Sequence, residues 1–238
     1  MKKLISIGII LALLTVLILP ISVASQPASV DKYAVIIGYN GKPCKSPIGR
    51  GNNHIFATTC ARLLRDILTD NEFSQKNIIF LTNNKATKAG VLEAINGLKA
   101  IEGAEDEVVV AFFGHGGPTG IGLHKSGISH SELKALMADL DSQKQLIVID
   151  TCGSAGAIIP GWDGITLNAT NRIVLTSTVT ERESSIFSWH LTNWCRSVLL
   201  WGLKEGNADF NGDGMVSIQE AGSVKGGMSD GYGQDFFL

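Results

Sequence analysis

No run of basic residues longer than a pair occurs in this chain, and 22 acidic residues nearly balance 20 basic ones. A surface without a basic stripe has little to draw in a polyanion, so neither nucleic acid nor an anionic membrane surface is an expected partner. Cysteine is scarce as well. Four cysteines, Cys44, Cys60, Cys152 and Cys195, in 238 residues exclude the dense disulfide lattice of a small secreted scaffold. Internal repeats and low-complexity tracts are absent, which excludes a solenoid or a linker-rich chain. With 45% hydrophobic and 18% charged residues, the chain can bury one good core and little more, so one principal domain is expected.

The amino terminus departs from this pattern. Lys2 and Lys3 precede an apolar run over 4–19, then Pro20, then Ser22-Val23-Ala24-Ser25, small residues suited to signal cleavage. Residues 1–25 therefore read as a signal peptide or, uncleaved, as an N-terminal membrane anchor. Either places the body of the chain outside the cytoplasm, secreted or extracytoplasmic. The Asn168-Ala169-Thr170 sequon agrees with that placement.

From residue 26 to 204, strand patterns alternate with helix patterns. Apolar runs at 33–38, 77–81, 107–113, 146–150 and 172–176 read as strands buried on both faces of a parallel sheet. Helical periodicity is expected over 54–69, over a second helix capped by Thr87, over a third capped by Ser129, and over 192–203. Residues 117–128 are glycine-rich and read as a loop or small hairpin, and 153–171 as a long loop. The alternation predicts an α/β fold, a three-layer α/β/α domain with a mainly parallel central sheet.

Two of the apolar runs end in reactive side chains. The first delivers Gly114-His115-Gly116-Gly117, the second Asp150-Thr151-Cys152-Gly153-Ser154. Ligand and catalytic groups in parallel sheets gather beyond the carboxyl ends of the strands. His115 and Cys152 are therefore expected on neighbouring strands, close enough for the imidazole to hold the thiol as thiolate. Gly153 permits a tight turn that exposes the thiol and its own N–H. The N–H groups of Gly116 and Cys152 can form an oxyanion hole. The pattern predicts a cysteine peptidase with a Cys-His dyad acting on protein or peptide substrates. Cys152 must then stay free, leaving at most one disulfide, with Cys44 and Cys60 the nearest pair in sequence; three buried thiols are the alternative.

A hydrophobic strand closing in His-Gly, followed by another closing in Asp-x-Cys, resembles the caspase, metacaspase and legumain superfamily of cysteine endopeptidases. The likeness covers about residues 32–178 and is nearest to prokaryotic caspase-like and legumain-like members, with Ala155 interrupting their usual Asp-x-Cys-x-Ser-Gly. It implies a caspase-like fold, and it implies that Asp150, two residues before the nucleophile, lines the S1 pocket. A carboxylate there favours Arg or Lys at P1, since a guanidinium satisfies it bidentately. In the other reading, Asp150 bonds backbone and fixes the loop. Acidic P1 would need a basic pocket, for which Arg172 and Arg182 are the nearby residues, and the legumain preference for Asn is a further alternative. The family's pattern before the first helix is not matched by Asn52-Asn53-His54, and no role is carried onto them.

A second motif lies in the segment 205–238. Asp209-Phe210-Asn211-Gly212-Asp213-Gly214-Met215-Val216-Ser217-Ile218-Gln219-Glu220 fits the spacing of an EF-hand loop. Asp209, Asn211, Asp213, the Met215 carbonyl, Ser217 and Glu220 are the expected Ca2+ ligands, with Gly214 giving the sharp turn. With no partner EF-hand, a structural calcium ion is expected rather than a sensor.

Two competing readings use the same residues. Ser154 with Gly156 forms a degenerate nucleophile elbow, with His190 as base and Asp163 or Glu183 as acid. An inactive calcium-bound scaffold would bind a protein partner through the loop after Gly153. Oligomeric state has no signature in the sequence.

Overall fold

The structure, a computed structural model, describes residues 30–41, 55–159, 166–177, 195–217 and 220–221. The N-terminal apolar run, Asn52 to His54, Asp163, Arg182, Glu183, His190, Ile218 and the tail after Ala221 lie outside them. Among the described residues no helix is long and apolar enough to cross a membrane.

The order of elements is β1 (Lys32–Gly38), α1 (Ile55–Asp70), β2 (Ile78–Thr82), α2 (Lys88–Lys99), β3 (Glu107–Phe113), β4 (Gly116–Gly117), β5 (Gly120–Leu123), β6 (Ser126–Ser129), α3 (His130–Ala138), β7 (Lys144–Asp150) and β8 (Arg172–Thr176). A π-helical segment, Cys195–Lys204, follows. Five strands form one sheet in the order β2-β1-β3-β7-β8. Every neighbouring pair in it is parallel.

Side chains alternate across this sheet with period two, and the alternation builds two cores. Tyr33, Val35 and Ile37 of β1, Val108, Val110 and Phe112 of β3, and Ile147 and Ile149 of β7 meet Val91, Ile95 and Leu98 of α2 and Leu133 and Met137 of α3. On the opposite face Ala34, Ile36, Val109, Ala111, Phe113 and Val148 meet Ala57, Ala61, Leu64 and Ile67 of α1 and Val198 and Leu199 of the π-helical segment. Each fully buried Leu, Ile or Phe stabilises the fold by about 1.5 to 3 kcal/mol relative to exposure. The expected three-layer α/β/α architecture is thus present, with α1 on one face and α2 and α3 on the other.

Local signals place the helix starts. The Thr87 side chain accepts from Gly90 N, and Ser129 with Glu132 forms a reciprocal capping box. The stretch read as a loop or small hairpin is a three-stranded antiparallel sheet, β4-β5-β6. Cys60 is disulfide-bonded, to a partner outside the described side chains, while Cys152 is in no disulfide. Ala221 and Val216 pack into the core on the α1 face, so the C-terminal loop is seated on the same body as the sheet.

Candidate active site

The last paired residues of β3 and β7 are Phe113 and Asp150. His115 and Cys152 each lie two residues further on, so the register brings them to equivalent positions beyond the same sheet edge. Backbone bonds carry the pairing past the strand ends: Gly114 N donates to Asp150 O at 3.1 Å, and Tyr39 N to Phe113 O at 2.9 Å.

Glycine makes the two loops interlock. Gly153 has φ +63°, and a Cβ there would stand 2.9 Å from Pro118 N and 3.0 Å from Gly117 C. A Cβ on Gly116 would meet Thr151 Oγ1 at 2.4 Å and Thr151 Cβ at 2.8 Å. The His-Gly-Gly segment therefore lies against the Thr151-Cys152-Gly153 turn at a distance that side chains would forbid. Gly122 N donates to His115 O at 2.8 Å, one residue before the first β4-β5 pair, Gly116 with Ile121. By the alternation of antiparallel ladders, Gly116, which faces Ile121, then has its N–H aimed away from β5.

The His115 ring is half-buried, with Nε2 3.3 Å from the Gly41 carbonyl oxygen. A carbonyl only accepts, so Nε2 carries the hydrogen and Nδ1 is left as the basic atom of the neutral ring. Burial pushes the imidazole pKa below its ordinary value, and the Gly41 bond opposes that shift. Cys152 is half-buried, on the turn directly after β7. The Gly41 carbonyl is a functional group that sequence reasoning missed; a backbone acceptor in a turn leaves only its glycine as a signal.

Asp150 is fully buried, and burial raises its carboxyl well above the ordinary range, against a hydrogen bond from Ser177. The reading from sequence has a buried carboxylate lining S1. The structure encloses this carboxyl, and desolvation outweighs the Ser177 contribution in shifting its pKa upward. Ser154 is also fully buried, and its Oγ accepts from Ser177 N at 3.1 Å. A serine nucleophile at this position has no exposed oxygen, and the base and acids it would need lie outside the described residues.

The loop after residue 208 folds on its own amides. Asp209 takes Gly212 N at 2.8 Å and Gly214 N at 3.0 Å, Asn211 Oδ1 takes Asp213 N at 2.8 Å, and Asp213 Oδ1 takes Met215 N at 2.9 Å. Glu220 accepts from Phe210 and Asn211 N–H, both at 3.2 Å, drawing the end of the loop across its first turn. Bonds from Ser217, backbone first, hold its carboxyl below the usual range. Gly212 at φ +74° and Gly214 at φ +83° supply the left-handed turns. The oxygen donors and this closure fit a calcium loop. In this conformation the carboxylates turn onto the loop's amides, and among the described residues no three His, Cys, Asp or Glu side chains are gathered round one point.

No family model and no curated protein matches the sequence. Among solved structures the chain is similar to the crystal structure of protein GSU0716 from Geobacter sulfurreducens, with TM-score 0.43 and 21% identity over 51% of this chain and 50% of that one. The alignment spans about half of each molecule.

Proposed function

We propose that this protein is a cysteine endopeptidase in which Cys152 is the nucleophile and His115 the base and acid. The observation that carries this reading is the shared register of the two residues at one sheet edge, joined to a histidine whose Nε2 is tied to a carbonyl. Nδ1 takes the thiol proton, giving a thiolate and an imidazolium. The thiolate sulfur bonds to the substrate carbonyl carbon while its π electrons move onto oxygen, where the N–H groups of Gly116 and Cys152 receive the charge. Each such donor is typically worth about 3 to 4 kcal/mol in the transition state. The C–N bond then breaks, and the leaving amine takes the proton from His115. Water next gives a proton to His115 and its oxygen to the acyl carbon, releasing the acid and the thiolate.

A basic P1 residue is the preference proposed for the S1 subsite that the resemblance assigns to Asp150. A guanidinium beside Asp150 would stabilise its carboxylate, so binding would release the proton that burial retains. Asp209, Asn211, Asp213, Ser217 and Glu220 would hold calcium through side-chain oxygens and Met215 through its carbonyl. Bound calcium would supply a fixed positive charge that cross-links the loop. The disulfide at Cys60 supports an oxidising, extracytoplasmic setting.

Iodoacetamide alkylation tests the dyad without any substrate. Cys152 should react at neutral pH faster than a free thiol, and His115→Ala should return it to ordinary thiol behaviour. Equal rates in the two proteins would sink the dyad.

A further inference from the structure

One motif of the sequence serves neither the dyad nor the calcium loop. Asn168-Ala169-Thr170 is the chain's single Asn-x-Ser/Thr sequence, and its middle residue is not proline. Such a sequence takes sugar only where it reaches the surface, because the glycan is bulky and hydrated. Here all three residues are exposed, and none of them lies in a helix or in β8. The segment is held at both of its ends. On one side Leu167 is fully buried, its N–H donates to Ala157 O at 2.7 Å, and its carbonyl accepts from Arg172 Nη1 at 2.9 Å. On the other, Arg172 N donates to Ala169 O at 3.2 Å and closes a four-residue turn. Asn171 within that turn is tied to the sheet, donating from Nδ2 to Ser142 O at 2.9 Å and accepting from Gln145 N at 3.0 Å through its carbonyl. These anchors leave residues 168–170 on the outside of a fixed loop.

We propose that Asn168 is a site of N-glycosylation, modified by transfer from a lipid-linked oligosaccharide. The inference rests on the extracytoplasmic placement and not on the peptidase. In the transfer Nδ2 bonds to the anomeric carbon of the sugar while the bond from that carbon to a phosphate oxygen breaks, and one amide proton leaves with the polyprenyl phosphate. Asn168 Nδ2 donates to Ile158 O at 3.2 Å. A primary amide carries two N–H groups and the sugar replaces one, so the other remains for this carbonyl. The turn sits at the amino end of β8, where Arg172 pairs with Gln145, whereas Cys152 follows the carboxyl end of β7. From Gln145 to Asp150 the strand climbs about 17 Å, at about 3.3 Å per residue. A glycan on Asn168 is therefore rooted at the end of the sheet opposite the dyad and leaves the candidate site uncovered.

Peptide mapping by mass spectrometry of the whole protein recovered from its native source tests the assignment. The peptide that contains Asn168 should carry a mass excess made of whole sugar residues. Asn168→Gln and Thr170→Ala should each lose the entire excess, the second with its asparagine intact, while Thr170→Ser should keep it. Unmodified Asn168 in protein found outside the cytoplasm would overturn the inference and leave the placement standing. Unmodified Asn168 in protein retained in the cytoplasm would overturn both. A sugar excess that survives in Asn168→Gln would reject this asparagine as its site. Iodoacetamide should alkylate Cys152 at the same rate in the glycosylated protein and in Asn168→Gln, and slower reaction of the glycosylated protein would refute the position given to the glycan.

Discussion

Replacing Asp150 by Asn keeps the shape of a fully buried side chain and removes its titration. In the folded chain the Asp150 carboxyl holds its proton well above the ordinary value of 3.8. The native state therefore binds this proton more tightly than the unfolded state. Stability from this source is complete below about pH 4 and is lost as pH rises toward the folded pKa. Within that window each pH unit costs wild type about 1.4 kcal/mol, while Asp150→Asn loses nothing there. The new amide near Ser177 adds an offset that does not depend on pH, so the slope is the quantity to read. Urea unfolding of both proteins from pH 4 to 7 at fixed calcium should show a gap that grows in favour of Asn. All other titrating groups cancel in the difference. Parallel curves, or a gap growing in favour of wild type, would mean that the carboxyl is ionised in the fold and that burial does not dominate it. A peptide inhibitor with arginine at P1 should bind wild type more tightly as pH rises through the same window, and Asp150→Asn should lose that dependence.

Gly116→Ala drives a methyl into Thr151 at 2.4 to 2.8 Å, where Thr151 is 1% exposed. It should cost about 1 to 3 kcal/mol in chemical unfolding and at least about tenfold in kcat; a variant with wild-type kcat would show that the two loops need not touch. For an affinity of about 10⁻⁴ to 10⁻³ M, calcium at 10 mM should raise Tm on the order of 5 °C. Differential scanning fluorimetry should show that rise in wild type and not in Glu220→Ala, and equal melting with calcium or EDTA would remove the metal from the account. Ser129→Ala, which removes the acceptor for Glu132 N far from Cys152, should lower stability by about 1 kcal/mol and leave kcat unchanged.

The central sheet was legible because each of its strands is an apolar run with no competing period. Glu107–Phe113 and Arg172–Thr176 coincide with the runs read from sequence. Side-chain caps were equally legible at Thr87 and Ser129, since their oxygens act locally. Of the sheet of β4, β5 and β6, the β5–β6 hairpin was legible as one of two readings, and the added strand β4 was not. Gly120, Gly122 and Gly127 carry no strand propensity, and their bare backbones let Gly120 lie against Ile128, Gly127 against Ile121 and Gly122 against His115. The segment expected as a helix over 192–203 is π-wound over Cys195–Lys204, a difference of backbone spacing that apolar periodicity does not register. His115 and Cys152 could be picked out as strand-end residues in glycine-rich turns. The ionisation of Asp150 could not, because it depends on what encloses the carboxyl. The Gly41 carbonyl beside His115 Nε2 joins the turn after β1 to the loop after β3, and no single stretch of sequence contains that contact.

The peptidase reading is tested most directly by a fluorogenic peptide library varied at P1, incubated in millimolar calcium with the protein and, in parallel, with Cys152→Ala. The account predicts cleavage after Arg and Lys that falls by at least about a thousandfold in Cys152→Ala. Cleavage that survives in Cys152→Ala, or a library left uncut at every P1 residue, would contradict it.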